Sequence, residues 1–187
     1  TGLSNVVSDY SNLGMGVIIK SCNNCSAVHN TIYNSYRDGI EVTTARQSCG
    51  GVSCTANNVF IDGNTIYNTS HKATNGPGFT VIQSYDGGSG CIFLKSQGTG
   101  SISGGKIINN MCRGDYNPST TAPAQGIYID SNIPNVVIAN NSISRVSGNG
   151  IWSTSNLPIT IRNNAISNVG VYNIFLQPNV SYVHSNN

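Results

Sequence analysis

The chain has 187 residues, of which only 9% are charged, and a net charge of +2. That charge is too small and too scattered for nucleic-acid binding, and no run of about 18 apolar residues is present to span a membrane. Twenty-one glycines and abundant Asn, Ser and Thr disfavour helix, while regularly spaced Ile and Val disfavour disorder, so the chain reads as all-β.

Two units alternate along the chain. The first is an Asn-bearing segment, seen in degenerate form as SNVVSD at 4–9 with Asn5. The second is a short apolar strand, usually opened by Gly, seen first as GVIIKS at 16–21. After Cys22-Asn-Asn-Cys25 the Asn unit returns as VHNTIYN at 28–34 with Asn30, and the strand unit as GIEVTT at 39–44. An insertion at 45–57 carries Cys49 and Cys54, and IDGNTIYN at 61–68 follows with Asn64. A longer insertion at 69–90 leads into CIFLKS at 91–96 and IINNMC at 107–112, with Asn110. Beyond a Pro/Thr-rich insertion at 114–125 come GIYIDS at 126–131 and IANNSIS at 138–144 with Asn141. The remaining units are GIWSTS at 150–155, IRNNAISN at 161–168 with Asn164, NIFLQP at 173–178 and VHSNN at 183–187 with Asn186.

Self-similarity at a fixed period is the mark of a solenoid. The Asn residues lie 25, 34, 46, 31, 23 and 22 residues apart. The shortest spacings are one bare coil, and the longer ones are the same coil with loops. Inside the strand units the period is 2, so alternate side chains face opposite ways. Val17/Ile19, Ile40/Val42, Ile92/Leu94, Ile127/Ile129, Ile151/Ser153 and Ile174/Leu176 face inward and stack as columns. The Asn column marks a tight corner, where an amide supplies both donor and acceptor to backbone groups left unpaired inside the rod. Asn also tolerates the left-handed conformation that such a corner needs. The expected architecture is a single right-handed parallel β-helix domain over 1–187, with about six coils, an asparagine ladder and loop insertions.

This pattern resembles the pectin-lyase-like right-handed parallel β-helix superfamily, and in particular its generic parallel β-helix repeats. The resemblance covers nearly the whole chain and implies the fold, not an activity. The sequence lacks the WIDH of pectate lyases, the NTD, GHG and RIK of polygalacturonases, and the YGxDPH of mannuronan epimerases.

The outward positions of the strand units carry the candidate function. Their first column reads Ile18, Glu41, Phe93, Tyr128, Trp152, Phe175. Phe93, Tyr128, Trp152 and Phe175 are the expected binding residues, an exposed stripe that sugar rings or a neighbouring subunit would contact. The second column reads Lys20, Thr43, Lys95, Asp130, Thr154, Gln177. An enzyme reading makes Lys95 a base, with Asp130, Arg113 and Asp115 holding an acidic sugar. The plainer reading of Lys95 and Asp130 is a cross-strand ion pair.

Six cysteines suggest an oxidising, extracellular setting. Cys22 and Cys25 follow one strand unit and Cys49 and Cys54 the next, so local bridges and bridges between the loops are both open. Cys112 falls at an inward position, either as a small buried hydrophobe or paired with Cys91. The spacing is too irregular for a zinc site, and neither metal nor cofactor is assigned. No capping segment is recognisable before Asn5 or after Asn186. Six uncapped coils of ~4.8 Å make a rod of about 29 Å that stacks end to end on copies of itself or belongs to a longer solenoid. The functional expectation is a secreted structural or adhesive solenoid whose partners are its own copies and polysaccharide. The alternatives are a polysaccharide lyase, hydrolase or epimerase, and a phage tailspike or receptor-binding segment.

Overall fold

The computed structural model describes residues 16–33, 35, 38–44, 54–67, 69, 90–96, 100–114, 124–178 and 182–185. The first coil contains β1 (Val17–Lys20), β2 (Cys22–Asn23), β3 (Ser26–Val28) and β4 (Thr31–Tyr33). The next holds β5 (Ile40–Thr43), β6 (Thr55–Asp62) and β7 (Thr65–Tyr67), and the third β8 (Gly90–Lys95), β9 (Ser101–Ile108) and β10 (Met111–Arg113). Then come β11 (Gln125–Ile129), β12 (Val136–Ala139), β13 (Ser142–Ser144), β14 (Ile151–Ser153), β15 (Ile159–Arg162) and β16 (Ala165–Ser167). The last are β17 (Ile174–Leu176) and β18 (Tyr182–Ser185).

These strands form three parallel sheets, and each coil visits them in the same order. Sheet 1 runs β1-β5-β8-β11-β14-β17. Sheet 2 runs β2-β6-β9-β12-β15-β18, with β3 also on β6, and sheet 3 runs β4-β7-β10-β13-β16. The fold is the right-handed parallel β-helix expected from the repeat. Strands this short have little stability alone, and it is the stacking of equivalent positions that closes the core. In sheet 1, Ile40, Ile92, Ile127 and Ile151 are in register and none is exposed. In sheet 2, Ile61, Ile107, Ile138 and Ile161 do the same. Sheet 3 contributes Ile32, Ile66, Cys112 and Ile143. Burial of each such Ile contributes about 2 kcal/mol.

The asparagine ladder occupies the corner between sheets 2 and 3. Asn30 Nδ2 donates to Asn64 Oδ1 at 2.9 Å, and Asn64 Nδ2 to Asn110 Oδ1 at 2.9 Å. Asn110 Nδ2 donates to Asn141 Oδ1 at 3.0 Å, and Asn141 Nδ2 to Asn164 Oδ1 at 2.9 Å. Each Oδ1 also accepts the backbone N–H of the preceding rung's Asn, so the corner's buried amides are satisfied. Asn5 and Asn186 lie outside the described residues. One detail of the expected corner is corrected. The left-handed residue is the one before each ladder Asn: His29, Gly63, Asn109, Asn140 and Asn163 have φ between 53° and 62°. That residue turns the chain, and the following Asn is thereby directed inward, where its amide completes the ladder. The frequent Asn-Asn pairs thus combine a turn former with a ladder rung.

A second polar column, absent from the sequence reading, stands where the chain enters sheet 1. Asp38 Oδ1 accepts Gly90 N–H at 2.9 Å, Gln125 Oε1 accepts Asn149 N–H at 2.7 Å, and Asn149 Oδ1 accepts Tyr172 N–H at 3.2 Å. Cys22 pairs locally with Cys25, and Cys91 pairs with Cys112 across one coil, from β8 to β10. Cys112 is therefore a bridged residue, and the Cys22 and Cys25 pair is not shared with the neighbouring loop. Cys54 is also disulfide-bonded, while Cys49 lies outside the described residues.

Candidate functional site

The outer face of sheet 1 is built by period-2 alternation. With Ile127 and Ile129 in the core, Tyr128 must project outward, and the same holds for Trp152 between Ile151 and Ser153. Parallel register then sets Phe93 against Tyr128, Tyr128 against Trp152, and Trp152 against Phe175. The Phe93 and Tyr128 ring centroids are 4.5 Å apart at 34°, and those of Tyr128 and Trp152 4.8 Å apart at 59°. Tilted contacts of this kind suit the ring quadrupoles. Tyr172, just before β17, stacks on Phe175 at 5.5 Å.

From Glu41 onward, exposure grades along this column. Glu41 is 5% exposed and Phe93 1%, whereas Phe175 reaches 38% and Tyr172 56%. Tyr128 and Trp152 lie between these extremes. The expectation of four exposed rings is corrected for Phe93, which is fully buried. Alternation dictates the direction of a side chain but not what packs over it. The accessible track is therefore Tyr128, Trp152 and Phe175, extended by Tyr172, a residue outside the strand units and so invisible to column counting.

Tyr128 is held in place by its hydroxyl, which donates to Asp130 Oδ1 at 3.2 Å and shares a hydrogen bond with Thr154 Oγ1 at 3.1 Å. Burial pushes its pKa up to about 12, opposed by the Thr154 hydrogen bond and assisted by the Asp130 charge. Two further polar atoms in the column are buried without a hydrogen-bond partner, Glu41 Oε2 and Trp152 Nε1. Such atoms are rare because each forfeits its hydration.

The residues of the enzyme reading fall in two parts of the coil, Lys95 and Asp130 by sheet 1 and Arg113 on sheet 3. Lys95 and Asp130 occupy neighbouring rungs, with Asp130 N–H donating to Leu94 O at 2.9 Å. The Asp130 carboxylate takes its hydrogen bonds from Tyr128 and from Ser131 N–H at 2.8 Å. Arg113 stands on sheet 3, exposed, in register with Tyr67 and Ser144. Asp115 lies outside the described residues. Among the described residues no three His, Cys, Asp or Glu side chains come together as a metal site, and no helix is long and apolar enough to cross a membrane.

Sheet 3 has an aromatic pair of its own that column reading passed over. Tyr33 and Tyr67 stack at 5.5 Å and 13°, and Tyr33 is 54% exposed. The signal was present in the repeated TIYN of the two Asn units. Compared with known proteins, the chain matches, over residues 10–187, the model of a family described as right handed beta helix region. No curated protein and no solved structure matches it.

Proposed function

The chain belongs to the right-handed β-helix family, and from that premise we propose that it is an extracellular solenoid scaffold that holds an extended polysaccharide along sheet 1. The observation that carries this reading is the run of Tyr128, Trp152 and Phe175 on successive rungs. The rings offer apolar faces to sugar C–H groups. Regular rung spacing favours a linear, repeating ligand over a compact one. Disulfides fit an oxidising compartment.

The lyase, hydrolase or epimerase reading receives less support, because Arg113 stands on sheet 3, whereas Lys95 is on sheet 1 and Asp130 directly follows the sheet 1 strand β11. End-to-end stacking concerns segments outside the described residues, and the tailspike reading has no observation of its own here.

Affinity electrophoresis through gels containing neutral or acidic polysaccharides tests the proposal. The expected result is retardation by at least one polysaccharide, with the affinity lowered about tenfold by Phe175→Ala or Tyr172→Ala. Retardation that both variants retain in full would place the contact elsewhere, and no retardation by any polysaccharide would reject it.

A further inference from the structure

The repeat supplies an internal control for the Cys22–Cys25 disulfide. The two cysteines flank a bend at Asn24, whose φ is 58°. The same bend recurs on the next two coils, at Asn58 with φ 53° and Gly104 with φ 62°. Register puts Ala56 and then Ile102 at the place of Cys22. The residue beside the Ser26–Phe60 pair puts Val59, and then Gly105, at the place of Cys25. Neither of those coils has a cysteine there, yet both bend alike.

Backbone and amide groups account for the bend. Asn24 N–H donates to Asn57 O at 2.9 Å and Phe60 N–H to Cys25 O at 2.8 Å. Outside the rod, Asn57 Nδ2 donates to Asn23 Oδ1 at 2.9 Å and Asn58 Nδ2 to Asn24 Oδ1 at 3.2 Å. The bond spans a separation of only 3 residues, so it constrains the unfolded chain little. Cys22 and Cys25 are half-buried, at the edge of sheet 2 among the described residues. The Cys91–Cys112 bond differs in both respects: its residues are at most 1% exposed and its separation is 21.

We infer that Cys22–Cys25 is an exchangeable disulfide, a site of thiol–disulfide exchange with an external dithiol, while Cys91–Cys112 is a structural staple. The thiolate of the dithiol attacks one sulfur of the pair, breaking its S–S bond and forming a mixed disulfide. The second thiol of the dithiol then displaces the protein sulfur. Two electrons and two protons pass to the protein, leaving Cys22 and Cys25 as thiols and the dithiol as a disulfide. The coil keeps its bend in both states, as the coils without cysteine do.

Native protein treated with graded dithiothreitol, alkylated and mapped by peptide mass spectrometry tests this, with circular dichroism followed in parallel. Cys22 and Cys25 should be alkylated at about tenfold less dithiothreitol than Cys91 and Cys112, as the difference in loop length requires, and with the β signal intact. Alkylation of all four together, or loss of the β signal as Cys22 and Cys25 react, would overturn the inference. The double variant Cys22→Ala/Cys25→Val, which copies Ala56 and Val59, should fold with an unchanged β signal. Its failure to fold would equally overturn the inference, since the fold would then depend on the bond.

Discussion

The corner between sheets 2 and 3 and the outer face of sheet 1 are both columns of equivalent positions one coil apart, yet they behave differently. At the corner, Asn64, Asn110, Asn141 and Asn164 are each at most 3% exposed, and Asn64, Asn110 and Asn141 share one bonding pattern. On the outer face, residues in the same relation run from a buried Phe93 to a Phe175 that is 38% exposed. An interior position sees only its own coil and the two beside it, so repetition of sequence becomes repetition of environment. An exterior position has no such repeated enclosure, so equal register does not bring equal burial.

The largest expected effect comes from breaking the uniform column. Asn141 accepts two hydrogen bonds from Asn110 and donates to Ile107 O and Asn164 Oδ1. Asn141→Ala leaves several of these groups buried and unpaired at about 1–3 kcal/mol each, a loss of about 4 kcal/mol in denaturant unfolding. Phe93→Ala, in the graded column, should lower stability by about 3–4 kcal/mol, whereas Phe175→Ala should change it by less than about 0.5 kcal/mol. Equal effects for the two Phe variants would show that the burial gradient is wrong. Removing the core staple with Cys91→Ala/Cys112→Ala is expected to lower stability by about 3 kcal/mol.

A smaller effect comes from Tyr128. Its pKa in the folded state is raised to about 12, above the ordinary value of about 10. The stabilisation linked to its neutral form is fully present below pH ~10 and is lost as pH rises towards ~12. Spectrophotometric titration should contain a late step from Tyr128, and Tyr128→Phe should remove it. If the step survives in Tyr128→Phe, another tyrosine is responsible.

The ladder was legible because every rung uses the same amino acid in nearly the same phrase, from VHNTIYN to IRNNAISN. The polar column at the entrance to sheet 1 was not, because it is made of Asp38, Gln125 and Asn149, three side chains that share an acceptor oxygen and little else. Nor could the left-handed residue of the corner be told from its neighbour, since Asn-Asn offers two candidates for one role. On the outer face, alternation correctly oriented Phe93, Tyr128, Trp152 and Phe175, but burial of Phe93 depends on packing above the sheet and leaves no periodic trace. The separation of Arg113 from Lys95 and Asp130 follows from sheet assignment, which proximity in sequence to a strand unit does not reveal.

Trp152 is the only tryptophan in the chain and lies in the middle of the accessible track, so its fluorescence reports directly on the proposed contact. Titration with a polysaccharide that retards the protein should shift and saturate Trp152 emission, and Phe175→Ala should move the midpoint about tenfold higher. A polysaccharide that binds while leaving Trp152 emission unchanged would contradict sheet 1 as the contact face.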